Sequence, residues 1–277
     1  MPISAQEETE VTIEIRELNE ETMDAYLCCG TQPDEEKLAG EEQKLCWTRR
    51  MLDKGLGAKI AFCDGWPAGF TNYVPIEVAP APVEGKDILF VMCIHVNDAD
   101  DERGVNYEGK GIGKALVDAV ETYARTQGFS GVATLALDAD HMPASFWRKM
   151  GYGLMEQAGA ICLMWKPFGD CVPPWIWKGS FEPTVGGEDC VHVDVLYCSF
   201  CSFHGYIKDI ASDYSDKVVV HEHIIDDRET MDIDCICGHI ALFVDGIRKP
   251  NWPVGEKEWR ALIEEALDKK GLSERSR

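Results

Sequence analysis

Apolar and polar residues alternate along VTIEIREL, residues 11–18, which is the period of a strand with one buried face. Two helical stretches follow, around Glu21–Cys28 and Glu41–Lys54, parted by the turn-rich GTQPDE. In GAKIAFCDGWPAGFTNYVPI (57–76) the pair Asp64-Gly65 stands between two apolar runs, the signal of a hairpin. VAPAPVEGK (78–86) reads as a loop, and DILFVMCIHVN (87–97), apolar, β-branched and bounded by turn residues, predicts a buried central strand. A glycine-rich stretch then opens a helix that runs to about Gln127. GVATLALD (131–138) is a further strand, MPASFWRKMGY a short helix ending near Gly151, and AICLMWKPF (160–168) a closing strand.

Residues 169–189, GDCVPPWIWKGSFEPTVGGED, break this rhythm with Pro and Gly and are expected to connect two domains, with Trp175 and Trp177 packing across the junction. The pattern then restarts. HVDVLY and KVVVHEHII read as strands, CSFCSFHGYIKDIASDY leads into a helix, HIALFVDGIRKP is a strand and turn, and EKEWRALIEEALDKK is a terminal helix. The expected class is α/β (α+β), with one domain over 10–168 and a small α/β unit over 190–277.

The net charge of −22 argues against a nucleic-acid partner, because phosphate binding needs clustered Lys and Arg. It suits solubility, and also a cationic or amine substrate. No run of eighteen apolar residues exists, and MPISAQEETEVT lacks the basic-then-apolar order of a secretory signal, so no membrane partner and a cytoplasmic location are expected. In such a compartment the twelve cysteines read as buried thiols, metal ligands or redox groups rather than disulfides.

The stretch EGKGIGKALVDAV (108–120) places glycines at 109, 111 and 113 directly before a helix. Bare backbone before a helix N-terminus suits a phosphate, since unpaired N–H groups and the positive dipole end meet there. A Walker loop is excluded because Gly113-Lys114 is followed by Ala115, not Ser or Thr. A dinucleotide fingerprint belongs to the first βα turn of its unit, whereas these glycines follow a hairpin and a central strand. A purely structural turn is the remaining alternative.

Strand 87–97, this loop and helix, strand 131–138 and ASFWRKMGY together resemble the GNAT superfamily of acyl-CoA-dependent N-acetyltransferases. Two motifs carry the resemblance. The pyrophosphate loop Arg/Gln-x-x-Gly-x-Gly/Ala is matched by Glu108–Gly113. The later helix motif, closing in Phe/Leu-Tyr-x-x-x-Gly-Phe/Tyr, is matched within Ala144–Tyr152. The resemblance implies a mixed sheet splayed open between two neighbouring strands, with acetyl-CoA in the opening. The backbone of Gly109, Lys110, Gly111, Ile112, Gly113 and Lys114 would then hold the pyrophosphate, and main chain at Cys93, Ile94 and Val96 the pantetheine arm and acetyl carbonyl.

Transfer to a small-molecule amine needs a base for the amine and an acid for the leaving thiolate. The catalytic candidates are His95 on the central strand, His141 after the next strand, and Tyr152. Each has a bland alternative: His95 a structural histidine, His141 a cap, and Tyr152 a packing aromatic. Three residues or segments depart from the family pattern. Glu108 stands where Arg or Gln is usual, Trp147 replaces the tyrosine that often serves as the acid, and DADDERGVNYE (98–108) lengthens the loop.

YCSFC (197–201) follows a strand and precedes a helix, as in thioredoxin-like folds, where the helix dipole favours the thiolate. A GNAT module followed by such a unit is similar to the YoaP-like acetyltransferases. The proline that usually faces the dithiol is absent from CICGHIALFVDG. Cys235 and Cys237 stand there instead, and with Cys198 and Cys201 offer ligands for a thiophilic metal. Redox dithiol, metal ligands and buried thiols all stay open. So does the alternative that the chain is a thiol redox or metal-handling protein whose first half binds CoA without efficient transfer.

Overall fold

The computed structural model describes residues 12–29, 38–97, 105–137, 142–159, 161–177, 181–201, 206–228, 240–249 and 256–273. In chain order the first half contains β1 (Ile13–Glu17), α1 (Met23–Leu27), α2 (Leu38–Leu52), β2 (Gly57–Cys63), β3 (Trp66–Pro75), β4 (Val83–Glu84) and β5 (Ile88–Val96). It continues with α3 (Ile112–Thr126), β6 (Gly131–Leu137), α4 (Ala144–Lys149), β7 (Gly153–Ala158) and β8 (Ile161–Pro167). Beyond these lie β9 (Trp175–Ile176), β10 (Val191–Tyr197), α5 (Tyr206–Ser212), β11 (Val218–Ile224), β12 (Ile240–Val244), β13 (Ile247–Arg248) and α6 (Glu256–Lys270).

A seven-stranded sheet in the order β1-β2-β3-β5-β6-β8-β7 carries the first half. All neighbours run antiparallel except β5 and β6. The β2–β3 turn uses Asp64 and Gly65 at φ 51° and 86°, the left-handed pair that matches strand twist in a tight hairpin. Helix α3 buries Ile112, Leu116, Val117, Val120 and Ala124, a stripe at helical spacing. Part of that stripe packs with Leu89, Val91, Val132 and Ala136 on one face of the sheet. The opposite face meets α1 and α2, with Trp47 and Met51 joining Phe90, Met92, Leu163 and Trp165 in a second core.

The C-terminal unit holds a four-stranded sheet in the order β11-β10-β12-β13. Strands β10 and β11 are parallel, as the α5 crossover requires, and the other two pairings are antiparallel. Helix α6 packs Trp259, Ile263 and Leu267 against Val191, Val193 and Val195. The other face of this sheet lies against the connection, through Trp177 and Phe181.

The two units share a core. Cys198 and Phe200 sit in the same cluster as Trp47 and Met51, and the Trp47 and Phe200 rings lie 5.7 Å apart. Polar contacts frame it. Trp47 Nε1 donates to Asp226 O at 2.8 Å, Gln43 Nε2 to Ser199 Oγ at 3.1 Å, and Arg50 pairs with Asp226 at 2.6 Å. The turn at 198–201 is therefore a knob seated against α2.

Several expectations need adjustment. Strand β7 was unread in the sequence because GLMEQA is an edge strand whose Leu154 and Met155 stay exposed, so no alternation marks it. Within the predicted loop 78–86, β4 pairs with β9. Trp177 does cross the junction, since its N–H bonds Pro82 O at 2.9 Å while its ring meets the C-terminal sheet. Trp175 instead is exposed. Among the described residues no helix is long and apolar enough to cross a membrane.

Candidate active site

Strands β5 and β6 pair over only four residues, from Ile88↔Gly131 to Val91↔Thr134, and then part. The register with β3 shows how. Tyr73 pairs with Val91 and Asn72 with Cys93, so Met92 is an extra residue in a β-bulge. Past the bulge the facing pattern flips. Leu89 and Val91 look toward α3 before it, and Ile94 and Val96 do so after it. Cys93 looks toward the face with α1 and α2, and alternation gives His95 the same face.

Backbone groups follow the same logic. Asn97 N–H donates to Ala68 O at 3.0 Å, which fixes Asn97, His95 and Cys93 as the residues whose main chain faces β3. The Cys93 carbonyl also accepts from Thr71 Oγ1 at 2.9 Å. The N–H and C=O of Ile94 and Val96 thus face the gap, where β6 pairs with β5 no further than Thr134. In other sheets a neighbouring strand would satisfy them.

The mouth of this gap is the start of α3. Gly109 and Gly111 have φ 72° and 82°, and a methyl group on either would meet nothing within 4 Å. Gly111 caps the helix with no side-chain bond, and the first turn holds no acidic residue. The N–H groups of Ile112, Gly113 and Lys114 therefore point outward without an intrahelical acceptor. Gly113 stands against Phe146, 3.2 Å from a would-be Cβ, and Val96, at 3.7 Å, which places the helix start beside the gap. Lys114 is tied to Asp118 by an ion pair, and Lys110 lies over the Tyr107 ring. Glu108 is exposed, its N–H bonded to Asn106 Oδ1 at 2.7 Å.

The face bearing Cys93 and His95 is rich in thiols. Burial, then Cys29 and Cys201, push the Cys93 thiol up, opposed by Lys44. Lys44 is fully buried and donates to Tyr26 O at 2.6 Å, Leu27 O at 3.3 Å and Cys29 Sγ at 3.2 Å, closing the C-terminal end of α1. Burial disfavours its ammonium, but Cys29, Tyr26 and Cys93 outweigh that and its pKa is raised. Cys28 is pushed up to about 12 by burial and by Glu41, which accepts its thiol proton at 3.4 Å. Sequence reasoning passed over Lys44, whose only signal was a lysine in the apolar frame of α2.

Tyr152 and Trp147 lie on the other face, in the α3 core, with rings 4.9 Å apart. Tyr152 is 3% exposed, and its pKa is raised by burial and then by Glu121. The fold does not bring Tyr152 and His95 together. Phe146, not Trp147, is the α4 residue at the mouth. His141 lies outside the described residues, as do Cys235 and Cys237.

Of the readings open for the Cys-x-x-Cys pair, the surroundings of Cys198 fit a buried thiol. Residues 198–201 form a turn and not a turn of helix, and Cys198 is fully buried with its pKa well raised by burial and then Asp226. Its thiol is held protonated. Among the described residues no group of three or more His, Cys, Asp or Glu side chains is placed to hold a metal ion.

Residues 15–152 match the model of the acetyltransferase (GNAT) family. No curated protein matches the chain. Among solved structures, it is similar to a PaiA N-acetyltransferase from Thermoplasma acidophilum in complex with coenzyme A, at 18% identity over 57% of this chain and 99% of that one, TM-score 0.43. A GNAT family acetyltransferase from Brucella melitensis in complex with acetyl-CoA aligns at 17% identity over 58% and 92%, TM-score 0.39. A ribosomal-protein-alanine N-acetyltransferase from the same organism aligns at 17% over 56% and 99%, TM-score 0.41. With its splayed mixed sheet and the match over residues 15–152, this part of the chain is a GNAT-family acetyltransferase domain.

Proposed function

We propose that the chain moves an acetyl group from acetyl-CoA to a small-molecule amine. Residues 10–168 form the transferase unit, 169–189 a connection, and 190–277 an accessory thioredoxin-like unit. One observation carries the first part: the gap after Val91 and Thr134, with Ile94 and Val96 backbone turned into it and the start of α3 at its mouth. Amides of Gly109 to Lys114 suit the pyrophosphate, and main chain at Ile94 and Val96 suits the amides of the pantetheine arm. Cys93 lines the opposite face with its side chain, its carbonyl being bonded to Thr71. For the C-terminal unit the support is its β10-α5-β11, β12-β13-α6 order and the strand order β11-β10-β12-β13.

Bound acetyl-CoA supplies the activated acyl thioester. His95, projecting from the strand on the thiol-rich face, takes the proton of the acceptor amine at an imidazole nitrogen. His141 is the second candidate from its place after β6. Tyr152 stays a packing residue, consistent with its enclosure beneath α3.

A second reading, CoA binding without efficient transfer, is favoured by Phe146 at the mouth and Trp147 turned into the core, neither of which can serve as the acid for the departing thiolate. Titration calorimetry with acetyl-CoA, followed by chromatographic measurement of CoA release over a panel of amines, separates the readings. Binding with turnover supports transfer, binding without turnover the second reading, and no binding at millimolar ligand refutes both.

A further inference from the structure

The C-terminal unit contains a chain of hydrogen bonds outside the proposed acyl-transfer site. Cys190 lies immediately before β10, half-buried, with Sγ 3.2 Å from His192 Nε2. The other nitrogen of that ring, Nδ1, lies 2.8 Å from Nε2 of His221 on β11. The two imidazoles are 6° from parallel with centroids 5.1 Å apart. With a hydrogen bond of 2.8 Å between the two nitrogens, that separation is what coplanar rings joined head-on would show, not a face-to-face stack. The bond therefore lies in both ring planes, its best alignment.

The surroundings fix this geometry. His192 and His221 project from adjacent parallel strands, where His192 pairs with Val219 and His221 with Asp194, so both occupy the sheet face opposite α5 and α6. A Cβ at Gly186 would fall 2.3 Å from His192 Cδ2, so the ring rests on bare backbone. His192 N–H donates to Asp245 Oδ1 at 3.0 Å. Lys270 Nζ binds the same Oδ1 at 2.7 Å and also the carbonyls of Cys190 at 2.6 Å and Gly187 at 2.9 Å, holding the cysteine's backbone in place.

We propose that Cys190 is a nucleophilic thiol, with His192 as its base and His221 as the residue that orients the base, and that its substrate is a low-molecular-weight disulfide. Nucleophile, base and orienter in hydrogen-bonded series are what thiol activation requires. A single metal ion does not account for the arrangement, because His192 addresses its two partners with opposite nitrogens. The substrate class follows from what surrounds the sulfur. Acyl chemistry needs donors aimed at a developing oxyanion, but the His192 N–H and the Lys270 ammonium are spent on Asp245 and on carbonyls. Attack on a disulfide needs only a proton for the departing thiolate.

The step balances without another reagent. The Cys190 thiol proton passes to His192 Nε2 and its sulfur attacks one sulfur of the disulfide. That S–S bond breaks, a new S–S bond joins the small thiol to Cys190, and the leaving thiolate takes the proton back from His192. One disulfide and one protein thiol give one mixed disulfide and one free thiol.

Oxidised glutathione is the probe. The intact chain is incubated with it near neutral pH, and peptide mass mapping follows glutathione on Cys190 against Cys46, the exposed thiol of α2. The expected result is modification of Cys190 about a hundredfold faster than Cys46, the factor typical of one positioned base. His192→Ala brings Cys190 down toward the Cys46 rate. His221→Ala loses part of the advantage, and His221→Gln, which keeps an acceptor for the Nδ1–H, restores most of it. Modification of wild-type Cys190 no faster than Cys46 overturns the proposal whatever the variants do, as does an unchanged Cys190 rate in folded His192→Ala.

Discussion

Val91 of β5 and Thr134 of β6 are the last residues at which the two central strands meet, and the bulge at Met92 lies one position beyond. The bulge turns Ile94 and Val96 toward α3 while leaving Cys93 and His95 on the other face. Cofactor side and acceptor side of the proposed reaction are thereby separated by one extra residue.

The bare glycines at the start of α3 give the first prediction. Gly111→Ala adds a methyl group to open space and strains a φ of 82°. A stability loss of about 1–2 kcal/mol is expected from the left-handed backbone. Acetyl-CoA binding should weaken further than that loss explains, as calorimetry beside a urea melt would reveal.

Glu108 sits beside this cradle and is exposed. Glu108→Gln removes a negative charge near the proposed pyrophosphate. Affinity should rise by up to about fivefold, or ~1 kcal/mol, the scale of one charge pair in water. The gain should shrink as salt is added.

His95→Gln tests the proposed base. Acetyl transfer should fall by about a hundredfold or more with acetyl-CoA affinity unchanged. Equal loss of affinity and turnover would assign His95 a structural role.

The interface between the two units depends on the Phe200 side chain, 2% exposed against Trp47. Phe200→Ala should cost about 3 kcal/mol in urea unfolding. It should also open Cys198, fully buried in the native protein, to alkylation.

Alkaline stability has a defined sign. Folded Cys28 keeps its proton to about 12, against 9.0 for a free thiol. Between those values the unfolded chain has released the proton and the folded chain has not, so stability falls as pH rises through that window and is unaffected below it. Urea midpoints across the window should decline, and less steeply in Cys28→Ala by the one proton this thiol contributes.

Much of this fold was legible because its strands are long or sharply bounded. DILFVMCIHVN announced the central strand and Asp64-Gly65 the hairpin, both from local chemistry. What the pattern could not reveal depends on contacts between distant residues. The bulge at Met92 is a matter of register with β3. The sequence leaves Cys198 open as a redox, metal-binding or buried thiol, and only the packing of α2 over it shows the burial. Lys44 meets Cys29 across a helix connection, and Cys190 and His192, though neighbours in the chain, become a series only where β11 brings His221 alongside. Tyr152 and Trp147 carried a motif whose side chains point into the core.

Calorimetric titration of acetyl-CoA into the intact chain and into Gly111→Ala tests the central claim most directly. The account predicts saturable binding to one site per chain, weakened by the substitution. Absence of binding at millimolar acetyl-CoA, or equal affinity in a folded Gly111→Ala variant, would contradict it.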